Sequence, residues 1–135
     1  MDFHYLTPFD VRFRDLDSLG HVNNAVYLTY FEIARIGYWR ELFEPDGWKR
    51  MPFLVGDAYL KYIAPIVLPA QVTMGIRFKS FGNKSFVLEY QVKDVVTGKI
   101  MAEGLTTQVM VDAKGQTYRV PDEVRQKALE LGFEG

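Results

Sequence analysis

The chain has no cysteine among its 135 residues, which excludes disulfides, thiolate metal ligands and a cysteine nucleophile. It also lacks a charge excess: 16 basic against 17 acidic residues leave a formal net charge of −1, giving no general reason to expect nucleic acid or an anionic membrane as partner. No stretch approaches the roughly 18 uninterrupted apolar residues of a membrane span, and Met1-Asp2-Phe3-His4 lacks a basic region followed by an apolar run. Repeats and low-complexity segments are missing as well. These absences lead to the expectation of a soluble, cytoplasmic, single-domain protein over residues 1–135, working without a metal or redox cofactor.

What is present is a 48% hydrophobic composition, enough for a substantial core. Phe9, Val11 and Phe13 alternate with Asp10, Arg12 and Arg14, which predicts a strand with one buried face. From Ala25 to Leu42 there is no proline, and Tyr27, Tyr30, Phe31, Ala34, Tyr38 and Leu42 recur at helical spacing. One long helix is expected there, with Asn23 or Asn24 as its N-cap. Pro45-Asp46-Gly47 breaks the chain after it.

The remainder reads mostly as strand: Leu54 to Ile63, Gln71 to Phe81, Ser85 to Val95, Ile100 to Asp112, and a short one at Thr117 to Arg119. Pro121 suits the first position of a closing helix whose Val124, Ala128 and Leu131 form an apolar stripe. One long helix followed by consecutive strands argues for an α+β fold, a largely antiparallel sheet covering the aromatic helix.

The chemistry concentrates between Asp15 and Arg35. The first turn of a helix offers backbone N–H groups without intrahelical partners, at the positive end of the dipole, and such donors can hold a developing oxyanion. A carboxylate just upstream, Asp17, is placed to activate water or to attack a carbonyl held by those donors. The bland alternatives stand beside this reading. Asp17 can be a turn residue, Asp15 an ion-paired strand-end charge near Arg12 and Arg14, and Asn23 a capping residue. Tyr27, Tyr30 and Phe31 are core by default, Glu32 and Arg35 can pair along the helix, and Lys84, Arg77 and Lys79 can be solvated. His21 suits a base, a substrate donor or a structural bond equally.

Asp15-Leu16-Asp17, Gly20-His21-Val22-Asn23-Asn24, Tyr27-Leu28 and Phe31-Glu32-Ile33-Ala34-Arg35 resemble the hotdog-fold acyl-CoA thioesterases of the 4-hydroxybenzoyl-CoA thioesterase family, and more distantly the plant acyl-carrier-protein thioesterases. Tyr59 to Pro65, Gly82 to Phe86, Ala102-Glu103-Gly104 and Val109 to Asp112 continue the likeness in order. The resemblance implies a hotdog fold, an antiparallel sheet wrapped around a long central helix, with two protomers pairing their sheets and active sites at the dimer interface. The expected assembly is a homodimer or a dimer of dimers.

The resemblance further implies hydrolysis of an acyl-CoA or acyl-carrier-protein thioester, with coenzyme A entering only as part of the substrate and no metal. Asp17 matches the catalytic carboxylate, as nucleophile or general base, and Asn24 matches the helix-start residue whose backbone N–H polarises the thioester carbonyl. His21, Asn23, Tyr27, Lys84 and Ser85 are substrate-binding candidates, Lys84 and Ser85 beside coenzyme A bound to the partner protomer. The plant enzymes' further catalytic residues are not reproduced, since Leu19 stands where they have asparagine and Lys61 near their additional acid. Aromatics such as Phe53, Tyr59, Tyr62 and Phe81 are candidates to wall an acyl pocket. A non-catalytic acyl-CoA binding module is the rival reading.

Overall fold

The computed structural model describes residues 1–135. The alternation at the N-terminus is interrupted early: β1 (His4–Tyr5) and β2 (Phe9–Asp10) are two-residue strands, and Phe13–Asp15 turns as a 3₁₀ helix instead of continuing as strand. The cause is Asp15, whose carboxylate accepts from the Arg12 backbone N–H at 3.0 Å and curls the chain back on itself. Phe13, expected inside, is left 82% exposed, while Val11 is buried.

Helix α1 (Val26–Leu42) forms where the aromatic spacing predicts it, starting one residue later than expected. Its cap position is Ala25, not Asn23 or Asn24, and no side chain caps it; the Asn23 side chain instead accepts from the Ala25 N–H at 2.9 Å in a local turn. The face of α1 toward the sheet buries Tyr27, Tyr30, Phe31, Ala34 and Tyr38 as the stripe requires, together with Trp39 and Arg35. Pro45-Asp46-Gly47 does end the helix, and a single-turn α2 (Gly47–Arg50) follows.

Four long strands complete the sheet: β3 (Phe53–Tyr62), β4 (Gln71–Phe81), β5 (Ser85–Asp94) and β6 (Ile100–Met110). Their order is β1-β4-β5-β6-β3, with β2 also on β4, and every pairing is antiparallel. Thr117 makes only an isolated bridge to Val111, so the short strand expected at Thr117 to Arg119 does not form. Pro121 occupies the cap of α3 (Asp122–Glu130) rather than its first turn; Val124 and Ala128 are buried, but Leu131 lies beyond the helix and is 40% exposed.

The sheet lies over α1, with Phe31 stacked on Tyr90 at 4.4 Å between centroids and Trp39 stacked on Phe86 at 5.5 Å. Burying rings of this size contributes about 1.5–3 kcal/mol each relative to exposure. Gly104 lets the helix come so close, because a Cβ there would run into the Phe31 ring and meet the Tyr59 carbonyl oxygen at 2.7 Å. The architecture is α+β, and a core of 24 buried apolar residues fills the space between helix and sheet. At the sheet's edge, β3 pairs with β6 alone and its outer side is open.

Candidate active site

The segment between the 3₁₀ turn and α1 doubles back on itself. Asp15 and Asn23 join across it, the Asn23 N–H donating to the Asp15 carbonyl at 2.8 Å, and Leu16 bridges to Val22. Gly20, at φ 81°, supplies the left-handed residue that the turn between them needs. The Val22 N–H donates to the Ile66 carbonyl at 2.9 Å, tying this hairpin to the loop that follows β3.

Asp15 sits at the root of the hairpin and is saturated. Its carboxylate receives the Arg12 guanidinium at 2.9 Å, the Arg12 N–H, and the Tyr30 hydroxyl at 3.1 Å, and its side chain is 4% exposed. Burial works to raise its pKa, but the Arg12 side chain and N–H and the Tyr30 hydroxyl outweigh this and hold the carboxyl below its ordinary value. Burial, then the Asp15 charge, pushes the Tyr30 phenol up. Only Arg12, not Arg14, takes part in this ion pair, so Asp15 holds the turn in place.

Asp17 differs. One carboxylate oxygen, Oδ1, accepts the Leu19 N–H at 2.9 Å and the His21 N–H at 3.2 Å, and its own N–H donates to the His21 carbonyl at 2.7 Å. These bonds fix the side chain without exhausting it, because Oδ2 accepts no hydrogen bond from the chain. Asp17 lines a cavity of about 220 Å³ shared with His21, Val22, Asn24, Tyr27, Tyr62, Ile63, Ala64 and Pro65.

Asn24 reaches the same cavity as the last residue before the cap of α1. Its carbonyl accepts the Tyr62 hydroxyl at 3.0 Å, while its N–H donates to no acceptor in the chain. A residue with a free carboxylate oxygen and a residue with a free backbone N–H just before the helix therefore line one cavity. The pair can serve a carbonyl in attack and in oxyanion stabilisation. Tyr62 also sets its ring edge-on to Tyr27, 5.1 Å between centroids, and the Tyr27 phenol is raised by burial and then by Tyr62.

Of the residues expected at the site, Asp17, His21, Asn24 and Tyr27 come together in this cavity. Asn23 does not line it; its amide oxygen and N–H are spent within the hairpin. Lys84 and Ser85 lie at the other end of the sheet. Ser85 pairs with Val109, Val109 with Leu54, and Leu54 is eight residues from Tyr62 along β3, about 27 Å at the usual strand rise. Lys84 donates to the Thr117 hydroxyl at 3.2 Å, and Arg77 is taken by Glu89 at 2.7 Å. Among the aromatics put forward as pocket walls, Tyr62 lines the cavity and Phe53, Tyr59 and Phe81 do not. No cluster of three or more His, Asp or Glu side chains is gathered as a metal site.

The Tyr62 contact to Asn24 is the feature that spacing alone does not reveal, since 38 residues separate the partners. Its one signal in the sequence is position, as the last aromatic before the Ile63-Ala64-Pro65 turn.

Residues 11–128 match the family described as the thioesterase-like superfamily. The chain belongs to that superfamily. It is 32% identical over 131 residues to the long-chain acyl-CoA thioesterase FadM of Escherichia coli strain K12, covering 93% of this chain and 97% of that one. A thioesterase of Thermus thermophilus, solved in complex with coenzyme A and Zn, superposes with a TM-score of 0.84 at 36% identity, over 96% of this chain and 94% of the other. The DHNA-CoA thioesterase of Staphylococcus aureus has a TM-score of 0.83 at 18% identity, over 96% and 90%, a likeness of fold. The fold is the hotdog of these thioesterases, and the chain is a thioester hydrolase.

Proposed function

We propose that this thioesterase hydrolyses acyl-CoA, with Asp17 as its one indispensable side chain and the Asn24 N–H as oxyanion donor. The observation that carries the reading is that Asp17, whose Oδ2 accepts no hydrogen bond from the chain, and Asn24, whose N–H donates none, line one cavity. The relatives support the substrate class, one named for long-chain acyl-CoA and one solved with coenzyme A. Within the superfamily, the motif from Asp15 to Arg35 favours the 4-hydroxybenzoyl-CoA thioesterase family.

The thioester carbonyl oxygen takes the Asn24 N–H, and the Tyr62 hydroxyl anchors the same residue through its carbonyl in the next peptide unit. Oxygen then adds to the carbonyl carbon, either the Asp17 Oδ2 itself or a water that Asp17 deprotonates. The tetrahedral oxyanion collapses, the C–S bond breaks, and the coenzyme A thiolate leaves to take up a proton. In the nucleophilic route water cleaves the resulting anhydride. One oxyanion donor of this kind contributes about 3 kcal/mol to such a barrier.

The site is completed by a second copy of the chain. The open edge of β3 presents Leu54, Val55, Tyr59 and Tyr62, each more than 40% exposed, and an unpaired apolar edge of this length invites a strand from another protomer. Pairing β3 antiparallel with its copy sets the Phe53 end of one strand beside the Tyr62 end of the other. The partner's Lys84 and Ser85 are thereby carried toward the Asp17 cavity, where a cationic group suits coenzyme A phosphates.

The test is release of free thiol from a panel of short, long and aromatic acyl-CoA substrates and from acyl-carrier-protein thioesters. Turnover of one or more acyl-CoA classes supports the reading. Turnover confined to acyl-carrier-protein substrates moves the donor, and saturable acyl-CoA binding with no turnover on any substrate gives way to the binding-module reading.

A further inference from the structure

Arg35 is only 9% exposed, yet it has no carboxylate partner. The i, i+3 pair with Glu32 that spacing allows does not form. Arg35 instead donates to the Tyr90 hydroxyl at 3.3 Å, at the head of a buried polar chain that runs from Tyr90 to Thr106 at 2.6 Å and on to Gln108. A guanidinium at such depth with only a neutral hydroxyl is costly. Its other nitrogens keep some accessible surface. Glu32, one turn before, is exposed and takes part in no ion pair.

The side of α1 that carries these two charges is the side toward the open strand. Tyr27 and Trp39 meet β3 through Tyr62 and Phe53, at 5.1 and 5.0 Å between rings, and Arg35 falls on their stripe. The opposite side of the helix faces the N-terminal strands, where Glu41 meets His4 and Gly37 lies under Leu6. A two-fold axis that pairs β3 with its copy therefore brings two α1 helices together, antiparallel, along the face bearing Glu32 and Arg35. The midpoint of Val26–Leu42 is residue 34, and Glu32 and Arg35 straddle it almost symmetrically. Antiparallel helices meeting near their midpoints set residue 32 of each opposite residue 35 of the other.

We propose that Glu32 and Arg35 form a reciprocal ion pair across the two-fold axis, each Glu32 meeting the partner's Arg35. The proposal rests on the dimer described under Proposed function and adds to it the contact that neutralises the buried guanidinium. The arrangement is self-complementary, as a two-fold interface requires. It also explains why the two residues, one turn apart on a single helix, leave each other unpaired.

Charge exchange between protomers tests this directly. Glu32→Arg alone sets arginine against arginine twice across the axis, and Arg35→Glu alone sets glutamate against glutamate twice. Each variant dimer is expected to be weaker than wild type by about tenfold or more, the range of close interfacial charge pairs. When the two variants are mixed, both pairs are restored in the heterodimer, so native mass spectrometry should show the heterodimer almost alone. A statistical mixture from folded variants, in a protein whose wild type dimerises, overturns the pair while leaving the dimer standing. A wild type that stays monomeric at micromolar concentration overturns both, whereas thiol release by wild type tests the hydrolase reading separately. Should Arg35→Glu fail to fold, Glu32→Gln, exposed in the protomer, serves alone: a dimer constant weakened about tenfold with a shallower salt dependence supports the pair, and an unchanged one overturns it.

Discussion

Asp15 and Asp17 sit two residues apart in one hairpin and have opposite fates. Asp15 is buried and saturated by a guanidinium, a backbone N–H and a phenol; Asp17 is half-buried on the cavity wall, with one oxygen pinned by two backbone N–H groups and the other without a partner in the chain. The difference teaches that charge and place in the sequence do not by themselves separate a structural carboxylate from one free to act. What separates them is whether all the acceptor capacity is used. A carboxylate that is held yet unsatisfied is oriented for chemistry without having to break a bond first.

The contrast is broken most severely by Asp17→Asn. The amide oxygen still accepts from Leu19 and His21, so the turn survives, and kcat for thiol release falls by about a thousandfold, as for loss of a principal acid–base or nucleophilic group. Asp15→Ala breaks it from the other side: unfolding by denaturant shows a loss of about 2 kcal/mol, because Tyr30 and the Arg12 N–H lose a buried acceptor, with the half-exposed Arg12 charge adding little.

The acid limb of stability sharpens the same contrast. Folding holds the Asp15 carboxyl below its ordinary 3.8, so the unfolded chain binds a proton first as the pH falls. Its stabilisation is complete above the unfolded value and is lost as pH drops through the lowered folded value. Denaturant midpoints taken between about pH 5 and pH 2 should fall less steeply in Asp15→Asn than in wild type.

Smaller effects probe the oxyanion side. Tyr62→Phe leaves the Asn24 carbonyl without its phenol and should lower kcat by roughly threefold to tenfold, the value of one modest hydrogen bond, with thermal stability nearly unchanged. Asn23→Ala removes the acceptor for the Ala25 N–H and should cost about 1 kcal/mol of stability, read as a lowered melting temperature. A large stability loss from Tyr62→Phe would make that contact a brace of the fold instead.

Helix α1 and strands β3 to β6 were legible because their signals are repeated over many residues, and their observed limits fall within two residues of the expected ones. The N-terminal strand was not, because the alternation of Phe9, Val11 and Phe13 is overridden by a single carboxylate, Asp15, whose buried bonds to Arg12 and Tyr30 turn the chain. Asn23 likewise reads as a helix cap by residue type, but its oxygen reaches the Ala25 N–H before the helix begins. Arg35 reads as a charge able to pair with Glu32 one turn away, whereas it lies on the buried side of the helix and bonds to Tyr90, a partner 55 residues on that local spacing does not reveal. At the site, Asp17 and Asn24 were legible from the turn and helix start within one short segment. Tyr62 was legible only as one of four candidate pocket aromatics, and its bond to Asn24, made by the sheet, was not.

The most direct measurement is to take Asp17→Asn and Asp15→Asn through the same two assays, thiol release from the best acyl-CoA substrate and unfolding by denaturant. Opposite patterns are predicted: Asp17→Asn keeps its stability and loses turnover about a thousandfold, whereas Asp15→Asn loses stability and, while folded, keeps kcat within a few-fold of wild type. Turnover near wild type in a folded Asp17→Asn would contradict the assignment of the chemistry to that carboxylate.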